Sequence, residues 1–111
     1  MAKRTAKTRI ERDSMGEMEV PLHVLYGAST QRAVLNFPIS GRTLPPSLIC
    51  AYVLLKRSAA VVNQKLKLLD KGRARLIVFA CDEILEAFDN PNRAQGMMDH
   101  FPVDIFQTGS G

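Results

Sequence analysis

Leu48 to Leu69 reads LICAYVLLKRSAAVVNQKLKLL, an apolar run of helical period that leaves the chain few folds to choose from. Leu48, Tyr52, Leu55, Ala59, Val62 and Leu66 recur at spacings of three and four and make one stripe. Ile49, Val53, Ala60 and Leu69 widen it, while Lys56, Arg57, Asn63, Gln64, Lys65 and Lys67 fill the other side. Thr43 or Ser47 supplies a polar start, and Pro45-Pro46 supply the fixed φ that a first helical turn tolerates. Lys71-Gly72 gives the expected stop, a cation at the negative end and a glycine able to turn left-handed. At about 1.5 Å per residue the helix exceeds roughly 30 Å.

A second helix is expected from Arg73 to Phe88, with Ile77, Ala80, Cys81, Ile84, Leu85 and Phe88 inward and Arg75, Asp82, Glu83 and Glu86 outward. The short turn between them makes the two helices antiparallel neighbours. Such a hairpin cannot cover both sides of so wide a stripe, so part of it must pack on a further surface.

The remainder is thinner in signal. Arg9 to Met18 reads as a polar turn, and Val20 to Gly27 as an extended piece with Pro21 at its edge. Thr30 is a candidate cap for a short helix that Pro38 stops. Asp89-Asn90-Pro91-Asn92 breaks the second long helix, Arg93 to His100 links onward with room for one helical turn, and Phe101 to Gln107 is extended. The expected class is mainly α: an extended N-terminal arm, a long antiparallel helical hairpin, and a short strand leading into a Gly-rich loop.

Several functions are disfavoured. No apolar run approaches the roughly 18 residues that span a membrane, and MAKRTAKTR leads into no apolar signal core, which points to a cytoplasmic protein. The net charge of +4 is concentrated in Lys3, Arg4, Lys7, Arg9 and Arg12, which read as a solvated tail; a basic recognition face is absent, so no nucleic-acid partner is expected. Cys50 and Cys81 lack metal-ligand spacing and read as reduced buried thiols. His23 and His100 have no apparent orienting partners, and Glu11 with Asp13, or Asp82 with Glu83, read as surface charge. No metal site is expected.

QTGSG, Gln107 to Gly111, is the remaining candidate for chemistry. Its glycines let the backbone approach a ligand closely, and its hydroxyls and amides form a plausible nest for a carboxylate or phosphate. As a bare pattern it is an ordinary loop signal.

The blocks RIERDSMGEMEVP, LYGASTQRAVLNFPIS and HFPVDIFQTGSG, in this order, resemble the N-terminal region of class II fumarases in the fumarase/aspartase superfamily. The resemblance covers nearly the whole chain beyond the first eight residues. Leu22-His23 and Ser29 depart from it, as does the stretch Asn90 to Met98, which is longer than usual. Thr108 and Ser110 favour fumarases over aspartases, whose loop looks more like Gln-Gly-Gly-Ala-Gly. The resemblance implies the first domain of the fumarase/aspartase fold. It further implies reversible hydration of fumarate to L-malate in the tricarboxylic acid cycle, without metal or organic cofactor, by a homotetramer whose active sites each draw on three subunits. Ser110 and Gly111 map onto the family's first substrate-binding loop, with Thr108 shaping it, and the catalytic residues are expected downstream. Residues 1–8 are then a basic flexible tail, and residues 9–111 an incomplete N-terminal domain ending inside that loop and inactive alone. The alternatives are an aspartate ammonia-lyase of the same superfamily and a non-catalytic interaction module docking through the long hairpin.

Overall fold

The computed structural model describes residues 7–107, which form two compact units: the stretches 7–44 and 99–107 together, and Pro45–Met98.

In the first unit, β1 (Thr8–Asp13) pairs antiparallel with β2 (Gly16–Pro21), in a register that sets Arg9 opposite Val20 and Asp13 opposite Gly16. The stretch expected to be a polar turn is therefore a hairpin. Its turn is only Ser14-Met15, closed by the Met15 amide donating to Asp13 Oδ1 at 2.9 Å, with Gly16 at φ 120° where a side chain would be strained. The strands escape hydrophobic alternation because their inner face is partly ionic. Arg9, Glu11 and Asp13 turn inward beside Met18 and the fully buried Val20, whereas Ile10 faces out. The expected extended run from Val20 to Gly27 ends early, β2 stopping at Pro21.

Helix α1 (Ala28–Asn36) packs on this hairpin. Its N-cap is Gly27, with no side-chain cap bond, so Thr30 lies inside the first turn and is not the cap. Pro38 follows its C-terminal Phe37, as expected. Strand pairing of Phe101 to Gln107 is limited, among the described residues, to one antiparallel bridge, Thr43 to Asp104, supported by the Ile105 amide donating to the Arg42 carbonyl at 2.9 Å. Pro102 offers no amide for a longer ladder.

The second unit is the helical hairpin of α2 (Pro46–Lys65) and α3 (Lys71–Asp89), with α4 (Pro91–Met98) packed on α3. Helix α2 starts at the expected prolines, with Pro45 as N-cap and Pro46 at the first helical position, but no side chain caps it, so neither Thr43 nor Ser47 supplies the expected polar start. It ends sooner. The Leu68 amide reaches back to the Asn63 carbonyl at 2.9 Å, the Lys67 amide to Gln64 at 3.0 Å, and Lys67 takes φ 60°. This is a Schellman stop with lysine where glycine is usual. Gly72 instead lies in the first turn of α3, where Asp70 caps by accepting the Arg73 amide at 3.0 Å.

The facing residues also differ from the expected stripe. Ile49, Val53 and Ala60 of α2 and Ala74, Cys81 and Ala87 of α3 are buried; Leu48, Tyr52, Leu55, Val62 and Leu66 are exposed, as are Ile77 and Ala80. A helix apolar over most of its circumference gives periodicity no means of choosing the face its neighbour takes. Four of these six buried residues, Ala60, Ala74, Cys81 and Ala87, have small side chains, and Ile49 and Val53 supply the larger ones. Asp82, expected outward, pairs with Arg57 of α2 at 2.7 Å.

Candidate functional site

The loop residues singled out by sequence, Thr108, Ser110 and Gly111, lie outside the described residues. The structure does describe the segment leading into them. Asp104 is a buried carboxylate, 8% exposed. Its Oδ2 accepts the Ser40 amide at 2.8 Å, the Ser40 hydroxyl at 2.8 Å and the Gly41 amide at 3.0 Å. Its Oδ1 accepts the Phe106 amide at 2.9 Å, and its main-chain carbonyl accepts the Gln107 amide at 3.1 Å. Successive amides converging on one oxygen form a backbone nest of the kind that holds an anion, and Gly41 at φ 71° supplies the left-handed residue it needs. The Phe106 amide foremost, then Ser40 and Gly41, hold the Asp104 pKa below the usual carboxylate range against the opposing effect of burial.

A cavity of about 240 Å³ lies beside this nest, walled by Val34, Phe37, Pro38 and Pro102 with Arg42 and Asp104 among its polar lining. Gln107 Oε1 is buried and has no hydrogen-bond partner among the described residues.

Upstream, charged side chains fasten the hairpin to the segments after it. Arg9 donates to the carbonyls of Pro21 at 2.7 Å, Leu22 at 3.3 Å, Val24 at 2.8 Å and Tyr26 at 2.7 Å, and pairs with Glu11 at 2.8 Å. Arg32 of α1 grips both oxygens of Asp13, at 2.8 and 3.0 Å. That grip lowers the Asp13 pKa and raises that of Arg32. His100 Nδ1 accepts the Leu25 amide at 3.1 Å. Thus Glu11 and Asp13 are not idle surface charge, and His100 has a main-chain partner. His23 is exposed. Cys81 is buried and Cys50 half-buried, both as free thiols. No group of three or more metal-ligating side chains gathers among the described residues.

Sequence reasoning passed over Asp104, Ser40 and Arg9. The signal for the first pair was a carboxylate three residues before a Gly/Thr loop together with a distant Ser-Gly; nothing local in the sequence joins them.

The chain is 49% identical over 104 residues to "Fumarate hydratase class II 2" of Pseudomonas aeruginosa, covering 94% of this chain and 21% of that protein. The chain is homologous to the N-terminal region of class II fumarate hydratases. Solved structures agree. A fumarate lyase:delta crystallin from Brucella melitensis, bound to cobalt, superposes with a TM-score of 0.81 at 38% identity, over 95% of this chain and 22% of that one. A class II fumarase from Schistosoma mansoni gives 0.78 at 35% identity, over 95% and 21%. No family model matches the chain. The chain thus spans about a fifth of the length of the fumarate hydratases it matches.

Proposed function

We propose that this chain is the N-terminal segment of a class II fumarate hydratase, a hydro-lyase that interconverts fumarate and L-malate. The observation that carries the reading is the 49% identity sustained across 94% of the chain. In this reading residues 9–111 are part of the enzyme's N-terminal domain, and residues 1–8 its basic tail. Ser110 and Gly111 donate to a substrate carboxylate and Thr108 shapes the loop, while the proton-transfer groups come from the remainder of the enzyme. Abstraction of the malate C3 proton places extra negative charge on the adjoining carboxylate. Preorganised hydroxyl and amide donors stabilise that charge more than they stabilise the ground state. The enzyme works as a cytoplasmic homotetramer in the tricarboxylic acid cycle, without metal or organic cofactor, and the segment alone is inactive. The apolar face of α2 that α3 leaves open is covered in that assembly.

The test is to graft the chain in place of the matching segment of the Pseudomonas aeruginosa relative and assay both directions of the reaction. Interconversion of fumarate and malate, with no release of ammonia from aspartate, is the expected result. Aspartate turnover without malate turnover would assign an ammonia-lyase instead, and no turnover of either would remove the catalytic reading.

A further inference from the structure

We propose that the outer face of α3 around Leu76 and Phe79 docks a second copy of this chain, whose own α3 lies antiparallel across a two-fold axis close to Phe79. The inference concerns Pro45–Met98 alone and does not depend on the fumarate hydratase reading. Leu76 is 71% exposed and Phe79 69%, and with Gly72, Glu83 and Glu86 they lie on one stripe of the helix, at spacings of three and four. Hollows of about 570 and 430 Å³ flank Phe79 and share Arg75 and Phe79 as their common wall. A ridge with a hollow on each side is a shape that an identical ridge can enter.

The charges select the partner. Beyond its Asp70 cap, α3 carries no acidic residue in its first turn and no basic residue in its last. Lys71, Arg73 and Arg75 crowd its positive end, and Asp82, Glu83, Glu86 and Asp89 follow toward its negative end, the reverse of what the helix dipole favours. Helix α2 compensates little: it contains no carboxylate, and its ion pair with α3 is Arg57 to Asp82. Arg75, Glu83 and Glu86 make no ion pair among the described residues. Such a helix is complementary to itself when reversed. Arg75 and Glu83 lie four residues either side of Phe79, about 6 Å along the helix in each direction. An antiparallel copy therefore sets each Arg75 level with the other copy's Glu83, and closes an isologous pair. Glu83 and Glu86 on the same stripe set it against an anionic membrane surface.

The experiment is sedimentation of the 111-residue chain over a range of concentrations, with circular dichroism checking that each variant keeps its helix content. One helix pair falls short of the roughly 1,200 Å² of a stable interface, so a reversible monomer–dimer equilibrium in the micromolar range is expected. Arg75→Glu and Glu83→Arg should each raise the dimer dissociation constant by about tenfold, because a two-fold axis makes each substitution count twice. The two together should bring it back to within about threefold of the parent. Eight residues apart, these side chains cannot meet within one helix, so that rescue requires a second copy. Phe79→Ser should raise the constant by about a hundredfold. Leu55→Ser, on the exposed face of α2, should leave it within about twofold. A chain that is monomeric at every concentration overturns the proposal. Association that Leu55→Ser abolishes, that survives Phe79→Ser, or that is indifferent to the single reversals or unrelieved by the double one overturns it equally.

Discussion

Arg9 places a guanidinium among the carbonyls of Pro21, Leu22, Val24 and Tyr26 and so holds the descending chain against the first strand. The rigid planar fork suits this task; a lysine ammonium offers a single point of contact. Arg9→Ala strips donors from partly buried carbonyls, a loss expected to destabilise by about 1–3 kcal/mol in urea unfolding of the grafted enzyme or the chain. Arg9→Lys should recover less than half of that. In the sequence Arg9 reads as one more charge of a basic tail, because its partners are main-chain oxygens and leave no side-chain pattern. Asp13, Asp82 and Asp104 share a different signature, each with its pKa lowered, by Arg32, by Arg57 and by the Phe106 amide respectively. A carboxylate with a depressed folded pKa contributes stability that is complete above the unfolded value of about 3.9. That contribution is lost as pH falls through the lower folded value. The melting midpoint of the chain should therefore be insensitive to these groups between about pH 5 and 7 and fall below about pH 4. Replacing Asp13 with Asn should flatten that acid limb, and an unchanged limb would show that the Arg32 pair contributes nothing.

The helical hairpin shows what periodicity can and cannot specify at the level of an element. Its existence, its starting prolines and its break at Asn90-Pro91 are all legible, because each rests on local backbone chemistry. Its contact face is not, since both Leu55 and Val53 satisfy a helical period and only packing selects Val53. Its turn is misplaced by the sequence for an equally physical reason. Gly72 is the better left-handed residue, but the Asp70 cap recruits it into α3, where a Cβ would come within 3.3 Å of Asp70 Oδ2. Lys67 takes the left-handed position instead, at φ 60°. That conformation costs a residue with a Cβ about 1–2 kcal/mol. Lys67→Gly should therefore raise the melting midpoint by several degrees, with about 1 kcal/mol of gain offset in part by glycine's greater unfolded freedom. A lower midpoint would mean that the Lys67 side chain contributes more than its backbone strain removes.

Over the whole molecule, apolar surface exceeds what the described core encloses. The buried apolar set is mostly alanine and valine, with Val20 the largest side chain fully enclosed, while Leu55, Leu66, Leu68, Leu76 and Phe79 remain exposed. No helix among the described residues is long and apolar enough to cross a membrane. A surface of this kind calls for a covering partner. The isolated chain is expected to self-associate with concentration in sedimentation velocity, with a shallow melt, and the graft into a full-length enzyme to remove both. A monomeric, sharply melting isolated chain would contradict this. The sequence hinted at this need through the width of the stripe. The ionic inner face of the β1–β2 hairpin and the Asp104 nest were hidden, since charged residues in strands and contacts across sixty residues carry no local period. Thr108, Ser110 and Gly111 were visible only as a glycine-rich loop until the ordered blocks before them gave that loop a context.

The most direct measurement is the rate of fumarate hydration by the grafted enzyme, followed through the loss of fumarate's ultraviolet absorbance, beside the isolated chain at equal concentration. Turnover by the graft and none by the isolated chain is the result expected of an N-terminal segment that supplies substrate-binding donors to a larger active site. A correctly assembled graft that leaves fumarate untouched, or an isolated chain that consumes it, would contradict that role.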